Sequence, residues 1–227
     1  GMVFGLASYY IAEAWLRRLV PSLITEREKA KEGWRREKAR WGGFKTEIWR
    51  RLAHICFGLG IVVAVLALGK PAAELLLMLS IFVGMSAMQL RMRKRRVPLV
   101  DEIFSFLERP GAVPAWGAFM YSLGALLLLS SLDATQALAG IAVLALGDGF
   151  ATLAGTWFGK GTQVFYNRKK TWAGALAFLV AGSIGAFPFI GFSALPLAAV
   201  CAVAETLNLG IDDNLLVPIA AILFFIA

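Results

Sequence analysis

Four acids carry most of the chemistry open to this chain. They are Asp148 in LALGDGFATLAG, Glu205, and the adjoining Asp212 and Asp213, which Asn214 follows. Lys160, Lys169 and Lys170 stand near them in sequence, and Arg51 and His54 lie upstream. Each acid falls in or beside an apolar stretch, where an ionisable residue costs about 2.5–3.5 kcal/mol on insertion scales. Carboxylates hold Mg²⁺, which takes a few oxygens together with phosphate ligands, and lysines neutralise the remaining phosphate charge. The inventory therefore suits a polyphosphate substrate. Thr152, one turn after Asp148, shares its helical face. Plainer roles stand beside these. Asp213 or Asn214 fits equally as a cap of the helix that follows, Lys169 and Lys170 fit equally as topology signals, and His54 fits a local interfacial hydrogen bond.

The elements that must position these groups are membrane helices. Hydrophobic residues make up 59% of the 227, above the 45–50% of soluble domains. Apolar windows fall at 2–20, 52–69, 72–90, 115–132, 135–157, 172–190, 194–209 and 214–227. A span needs about 20 residues, so the last two are short. The pattern predicts an all-α, polytopic bundle of seven or eight membrane helices plus a charged cytoplasmic helix at 26–40. Of the 23 Lys and Arg, ten lie in 25–51, six in 91–109 and four in 160–170. Alternating helices put all three basic loops on one side, the cytoplasmic one by the positive-inside rule, and leave Lys70, Glu74 and Asp133 on the other. The net charge of +8 is thereby assigned to topology, with no nucleic-acid partner expected. Asp148, Glu205, the 212–214 turn and the 168–170 loop all converge on the cytoplasmic face.

Gly147, Ala151, Gly155 and Gly159 repeat every four residues, as do Ala173, Ala177, Ala181 and Gly185, and such stripes let helices pack closely. The stretch GTWFGKGT (155–162) is not a Walker A loop, since three residues separate its glycines and Gly follows the lysine. No HExxH, GxSxG or CxxC occurs, and Cys56 and Cys201 sit singly in apolar segments.

The ordered set GDGFATLAGTWFGK (147–160), YNRKKTWAGALAFLVAG (166–182) and AETLNLGIDDNLLVPIAAIL (204–223) resembles the dolichol kinase and phytol kinase family, polytopic enzymes that use CTP to phosphorylate lipid alcohols. EIWRRLAHICFGL (47–59) and LERPGAVPAWGAFMYSLG (107–124) are similar to its upstream elements. Thr156, Trp157 and Ala175 depart from the family pattern. The resemblance covers 47–227, the implied lipid kinase domain. Residues 1–46, read as a membrane helix and a charged cytoplasmic segment, lie outside it. It implies that CTP and Mg²⁺ bind at Asp148, Lys160, Lys169, Lys170, Asp212, Asp213 and Asn214, with Glu205, Thr152, Arg51 and His54 as neighbours. The three aspartates would be catalytic and would hold the metal. The expected function is transfer of the γ-phosphate of CTP to a polyprenol, dolichol, phytol or geranylgeraniol in the bilayer. A cytidylyltransferase, a CTP-dependent diacylglycerol kinase and an ion-coupled transporter are the alternatives. Oligomeric state is not readable from the sequence.

Overall fold

The computed structural model describes residues 44–92, 116–159, 161–207 and 209–227. The expected first membrane helix (2–20), the charged segment at 26–40 and Lys160 lie outside the described residues.

Helix α1 (Phe44–Leu68) turns directly into α2 (Lys70–Met92). The joint is Gly69, at φ +82°, a left-handed conformation that glycine adopts without strain. Helix α3 (Trp116–Ser131) is followed by α4 (Ala134–Ala142), whose first turn is capped by Asp133 accepting from Gln136 N–H at 2.9 Å. Lys70 donates to the Leu132 carbonyl at 2.8 Å and lies 3.8 Å from Glu74. The α1–α2 and α3–α4 turns therefore share one end of the bundle, as the charge pattern requires.

A single π turn, Val143–Gly147, joins α4 to α5 (Asp148–Phe158). Such turns insert one residue into a helix and recur at functional sites. Beyond α5 comes a short antiparallel hairpin, β1 (Gln163–Val164) and β2 (Asn167–Thr171), with Gln163 opposite Thr171 and Val164 opposite Asn167. It is the one departure from the expected all-α fold among the described residues. Thr171 caps α6 (Trp172–Ile190), which ends at Gly191, φ +59°. A 3₁₀ turn, Gly191–Ser193, then reverses the chain into α7 (Ala194–Thr206). Asp212 caps α8 (Asp213–Ile226).

Among the described residues, four helical segments are long and apolar enough to cross a membrane: Ile48–Leu68, Lys70–Leu90, Ala134–Phe158 and Trp172–Thr206. The last is α6 and α7 together, folded back on themselves, and Gly182 packs against Ala198 across that fold. Two shorter apolar helices are α3 and α8. Ala134–Phe158 is the central element, with 72% of its apolar window buried against 22% for α1 and 11% for α2. Around it Leu128, Ile141, Leu144, Phe178, Leu197 and Val217 form a fully enclosed core.

Small residues set the approach of α6 to this central segment. A Cβ on Gly147 would lie 2.8 Å from the Phe178 ring, and one on Gly174 would lie 3.0 Å from the Ala151 carbonyl oxygen. The buried line on α6 is Gly174, Phe178, Gly182 and Ala186. It runs one residue beyond the alanine stripe expected from the sequence. Phe178 fills the room that Gly147 leaves, so the contact is a knob in a notch rather than two flat stripes.

Candidate functional site

Asp148 opens α5 immediately after the π turn, with 4% of its surface exposed. Burying a carboxylate without a partner is prohibitive, and Arg51 of α1 supplies one, its Nη1 donating to Asp148 Oδ2. The two helices come close there because Gly149 leaves space for Ile55, whose Cδ1 would sit 2.5 Å from a Cβ at 149.

A second ion cluster closes the α6–α7 fold. Lys170, at the end of β2, donates to Glu205 Oε1 at the end of α7 and, at 2.7 Å, to Asp213 Oδ2 at the start of α8. The hairpin holds Lys170 in place. Asn167 Nδ2 donates to the Thr206 carbonyl at 2.9 Å, the Tyr166 and Thr206 hydroxyls meet at 2.6 Å, and Val164 is wholly buried. Burial alone would lower the Lys170 pKa, but the Glu205 and Asp213 carboxylates and their hydrogen bonds outweigh it and hold the ammonium above its ordinary value.

Asp212 Oδ1 accepts from the Asn214 backbone N–H at 3.0 Å and from its side-chain amide at 2.9 Å. Burial raises the Asp212 pKa, and the charges of Asp213 and Asp148 add to this against the lowering effect of the Asn214 hydrogen bonds. The Asp148 charge acts on Glu205 as well. The two ion clusters are thus neighbours, and among the described residues four acids (Asp148, Glu205, Asp212, Asp213) meet two paired bases (Arg51, Lys170). That excess of negative charge, at one end of an apolar bundle, suits a bound cation.

The structure gathers Asp148, Arg51, Lys170, Glu205, Asp212, Asp213 and Asn214. His54 reaches the group through Tyr121, ring centroids 5.3 Å apart. Lys169 is exposed on β2 and engages Asn167 only through its backbone N–H, at 3.2 Å. Of the two adjacent lysines, Lys170 is the one that touches the acids. Thr152 is half-buried on α5, one turn after Asp148, and Lys160 lies outside the described residues.

Among the described residues, no group of three or more His, Cys, Asp or Glu is placed to hold a metal ion. The expected three-aspartate metal site is therefore not a preassembled cage. Each aspartate already commits one oxygen, Asp148 to Arg51, Asp212 to Asn214 and Asp213 to Lys170. Each has a second carboxylate oxygen, and Asn214 Oδ1 is buried with no partner among the described residues. This donor set fits Mg²⁺ held by one or two carboxylates and otherwise by phosphate, the usual arrangement for that ion.

Tyr121 and Gly58 were not singled out from the sequence. Tyr121 is 1% exposed, and its hydroxyl has no hydrogen-bond partner among the described residues. The membrane-depth rule applied to ionisable residues would have found it if extended to hydroxyls, which also resist burial.

No family model matches the chain, and no solved structure matches it. An uncharacterized protein of Methanocaldococcus jannaschii is 30% identical over 175 residues, covering 76% of this chain and 88% of that protein. The chain belongs to the same family as that archaeal protein.

Proposed function

We propose that this chain is a multi-pass membrane enzyme that transfers the γ-phosphoryl group of CTP to the hydroxyl of a lipid alcohol, giving a lipid monophosphate and CDP. The reading rests on one observation above all. Arg51–Asp148 and Lys170–Glu205–Asp213 form a partly buried cluster, net-acidic among the described residues, at one end of an apolar helical bundle. The likeness of 147–223 to dolichol and phytol kinases supplies the nucleotide and the acceptor class.

Phosphoryl transfer asks a protein mainly for positioning and charge stabilisation. Asp212 and Asp213, at the start of α8, would supply carboxylate oxygens for Mg²⁺, whose charge would offset that of the phosphates. Lys170, held on the rim by Glu205 and Asp213, would supply positive charge to phosphate. Arg51 orients Asp148. Asp148, the deepest acid, takes the proton of the acceptor hydroxyl as its oxygen attacks the γ-phosphorus and CDP leaves.

Seven or eight membrane helices, counting the window at 2–20, with the basic segments 25–51, 91–109 and 160–170 cytoplasmic, put this cluster at the cytoplasmic face. Trp49, Trp157 and Trp172 are about half exposed at that end, as interfacial anchors are.

The test is detergent-purified protein with γ-labelled CTP or ATP, with and without Mg²⁺, and a panel of polyprenol, phytol, geranylgeraniol and diacylglycerol. Label in a lipid phosphate, dependent on CTP and Mg²⁺ and lost with EDTA, is the expected result. Release of pyrophosphate with formation of a CDP-lipid would replace the kinase reading by a cytidylyltransferase.

A further inference from the structure

We propose that Tyr121 seats the acceptor hydroxyl, and that the groove between α1, α2 and α3 holds the hydrocarbon chain of the same lipid alcohol. This inference rests on the kinase reading and adds to it where the acceptor lies.

Among the described residues, Tyr121 is the least exposed side chain that carries a polar atom with no hydrogen-bond partner. Buried hydroxyls almost always find a partner. This one, in a side chain 1% exposed, has none among the described residues. Its place is also built. A Cβ at residue 58 would lie 2.1 Å from Tyr121 Oη and 2.5 Å from the Cβ of Ala145, so only glycine at 58 leaves room for it. Ala145 belongs to the π turn that presents Asp148. The His54 ring lies 5.3 Å from the tyrosine ring. A bound alcohol between Tyr121 and Asp148 can accept a hydrogen bond from the phenol while donating its own proton to the carboxylate. The orphan is then satisfied, and the nucleophile is aligned by two groups from different helices.

The chain attached to that alcohol needs an apolar path, and one adjoins the tyrosine. A groove of about 170 Å³ is lined by Phe57, Ile81, Met85, Met88, Phe119 and Ser122, among others. Its lining is almost entirely apolar. Phe57 packs its ring edge-on against Tyr121, centroids 5.8 Å apart, and Ser122 is the next residue after Tyr121. The groove therefore adjoins the Tyr121 ring at Phe57. Phe57 and Met85 are 40% and 53% exposed on the outer surface of the bundle, so the groove opens sideways toward the hydrocarbon of a bilayer. Methionine side chains adapt to flexible apolar chains of varied shape. An acceptor that is polar at one end and apolar along its length matches this gradient, whereas a soluble alcohol would leave the groove empty.

The experiment uses the full chain in nanodiscs and a diazirine-bearing long-chain isoprenoid alcohol, without nucleotide. Photolabel is expected on peptides containing Phe57, Met85, Met88 and Phe119. Unlabelled geranylgeraniol should compete, and the matching hydrocarbon without a hydroxyl should compete far less. Tyr121→Phe should weaken that competition about five- to tenfold, the worth of one hydrogen bond, without lowering the thermal midpoint. Met85→Trp should abolish labelling and leave CTP binding unchanged. Label placed elsewhere, or competition unaltered by Tyr121→Phe, overturns the inference. If lipid phosphate forms from CTP but neither variant changes acceptor use, the subsite fails and the kinase reading stands. If the alcohol binds as described but receives no phosphate, the kinase reading fails and the subsite stands.

Discussion

Replacing Lys170 with methionine keeps most of the side-chain volume and removes the charge that closes the α6–α7 fold. Glu205 would be left with its side chain 5% exposed and no cation in contact, while Asp213, at 35%, would be partly rescued by water. Breaking a buried pair by removing one partner costs about 3–5 kcal/mol. Lys170 is itself 21% exposed, and its bond to Asp213 behaves more like a surface pair, worth about 0–1 kcal/mol. The lower end of the range, about 3 kcal/mol, is therefore expected. For a chain of this size that corresponds to a fall of about 6–12 °C in thermal midpoint. The assay is a detergent melt followed by fluorescence-detected size exclusion, on Lys170→Met, Glu205→Gln and the double variant. The double variant leaves a neutral amide instead of an orphan carboxylate and should recover most of the loss. A coupling energy below about 0.5 kcal/mol in this cycle would show that the two residues do not hold each other, and the account of how α6, α7 and the hairpin meet would be wrong.

Asp148→Asn should lower kcat for phosphoryl transfer by about 10²–10³, the usual loss when a preorganised charge is removed from a reacting centre; more than a tenth of wild-type activity remaining would exclude it as base or metal ligand. The raised Lys170 pKa means that its stabilising contribution is complete below the ordinary lysine value and fades only as pH climbs through the higher folded-state value. The melting point should therefore lose nothing to Lys170 between pH 6 and 9, and it should fall above about pH 10.5. Lys170→Met should lack that alkaline fall, so equal falls in both proteins would rule the assignment out. Gly124→Ala puts a Cβ 2.1 Å from the Asn214 carbonyl oxygen and 2.8 Å from Pro218, wedging α3 from α8 at a cost of about 1–3 kcal/mol. Gly60→Ala meets nothing within 4 Å and should be neutral or slightly stabilising; equal melts for the two would show that α3 and α8 do not meet at Gly124.

Hydropathy located the described helices to within a few residues, because an apolar window leaves no other way to satisfy the backbone, except that α1 begins at Phe44, eight residues before its apolar window at 52–69. Charge placement also anticipated that Lys70, Glu74 and the Asp133 turn would meet at one end. The convergence of Asp148, Lys170, Glu205 and Asp213 was legible from depth alone. The pairing was not. Nothing in the sequence ties Arg51, rather than Lys160 or Lys170, to Asp148, since that choice depends on Gly149 admitting Ile55. The hairpin escaped notice because two- and five-residue strands are too short for a period to emerge, and because Phe165 and Tyr166 at its turn are not turn-type residues. Lys169 and Lys170 looked equivalent until alternation along β2 separated an exposed lysine from one among carboxylates.

The π turn at Val143–Gly147 has a consequence for every residue after it. One inserted residue advances the helical phase by about 100°, so the segment before the turn and the segment after it present different sides to their surroundings. Gly147 thereby meets Phe178 of α6 while Asp148 faces Arg51 of α1. In a relative lacking that single residue, an aspartate aligned with Asp148 would point elsewhere and would need another cation. For this fold, a one-residue gap at 143–147 carries more information about the site than identity of the aspartate itself.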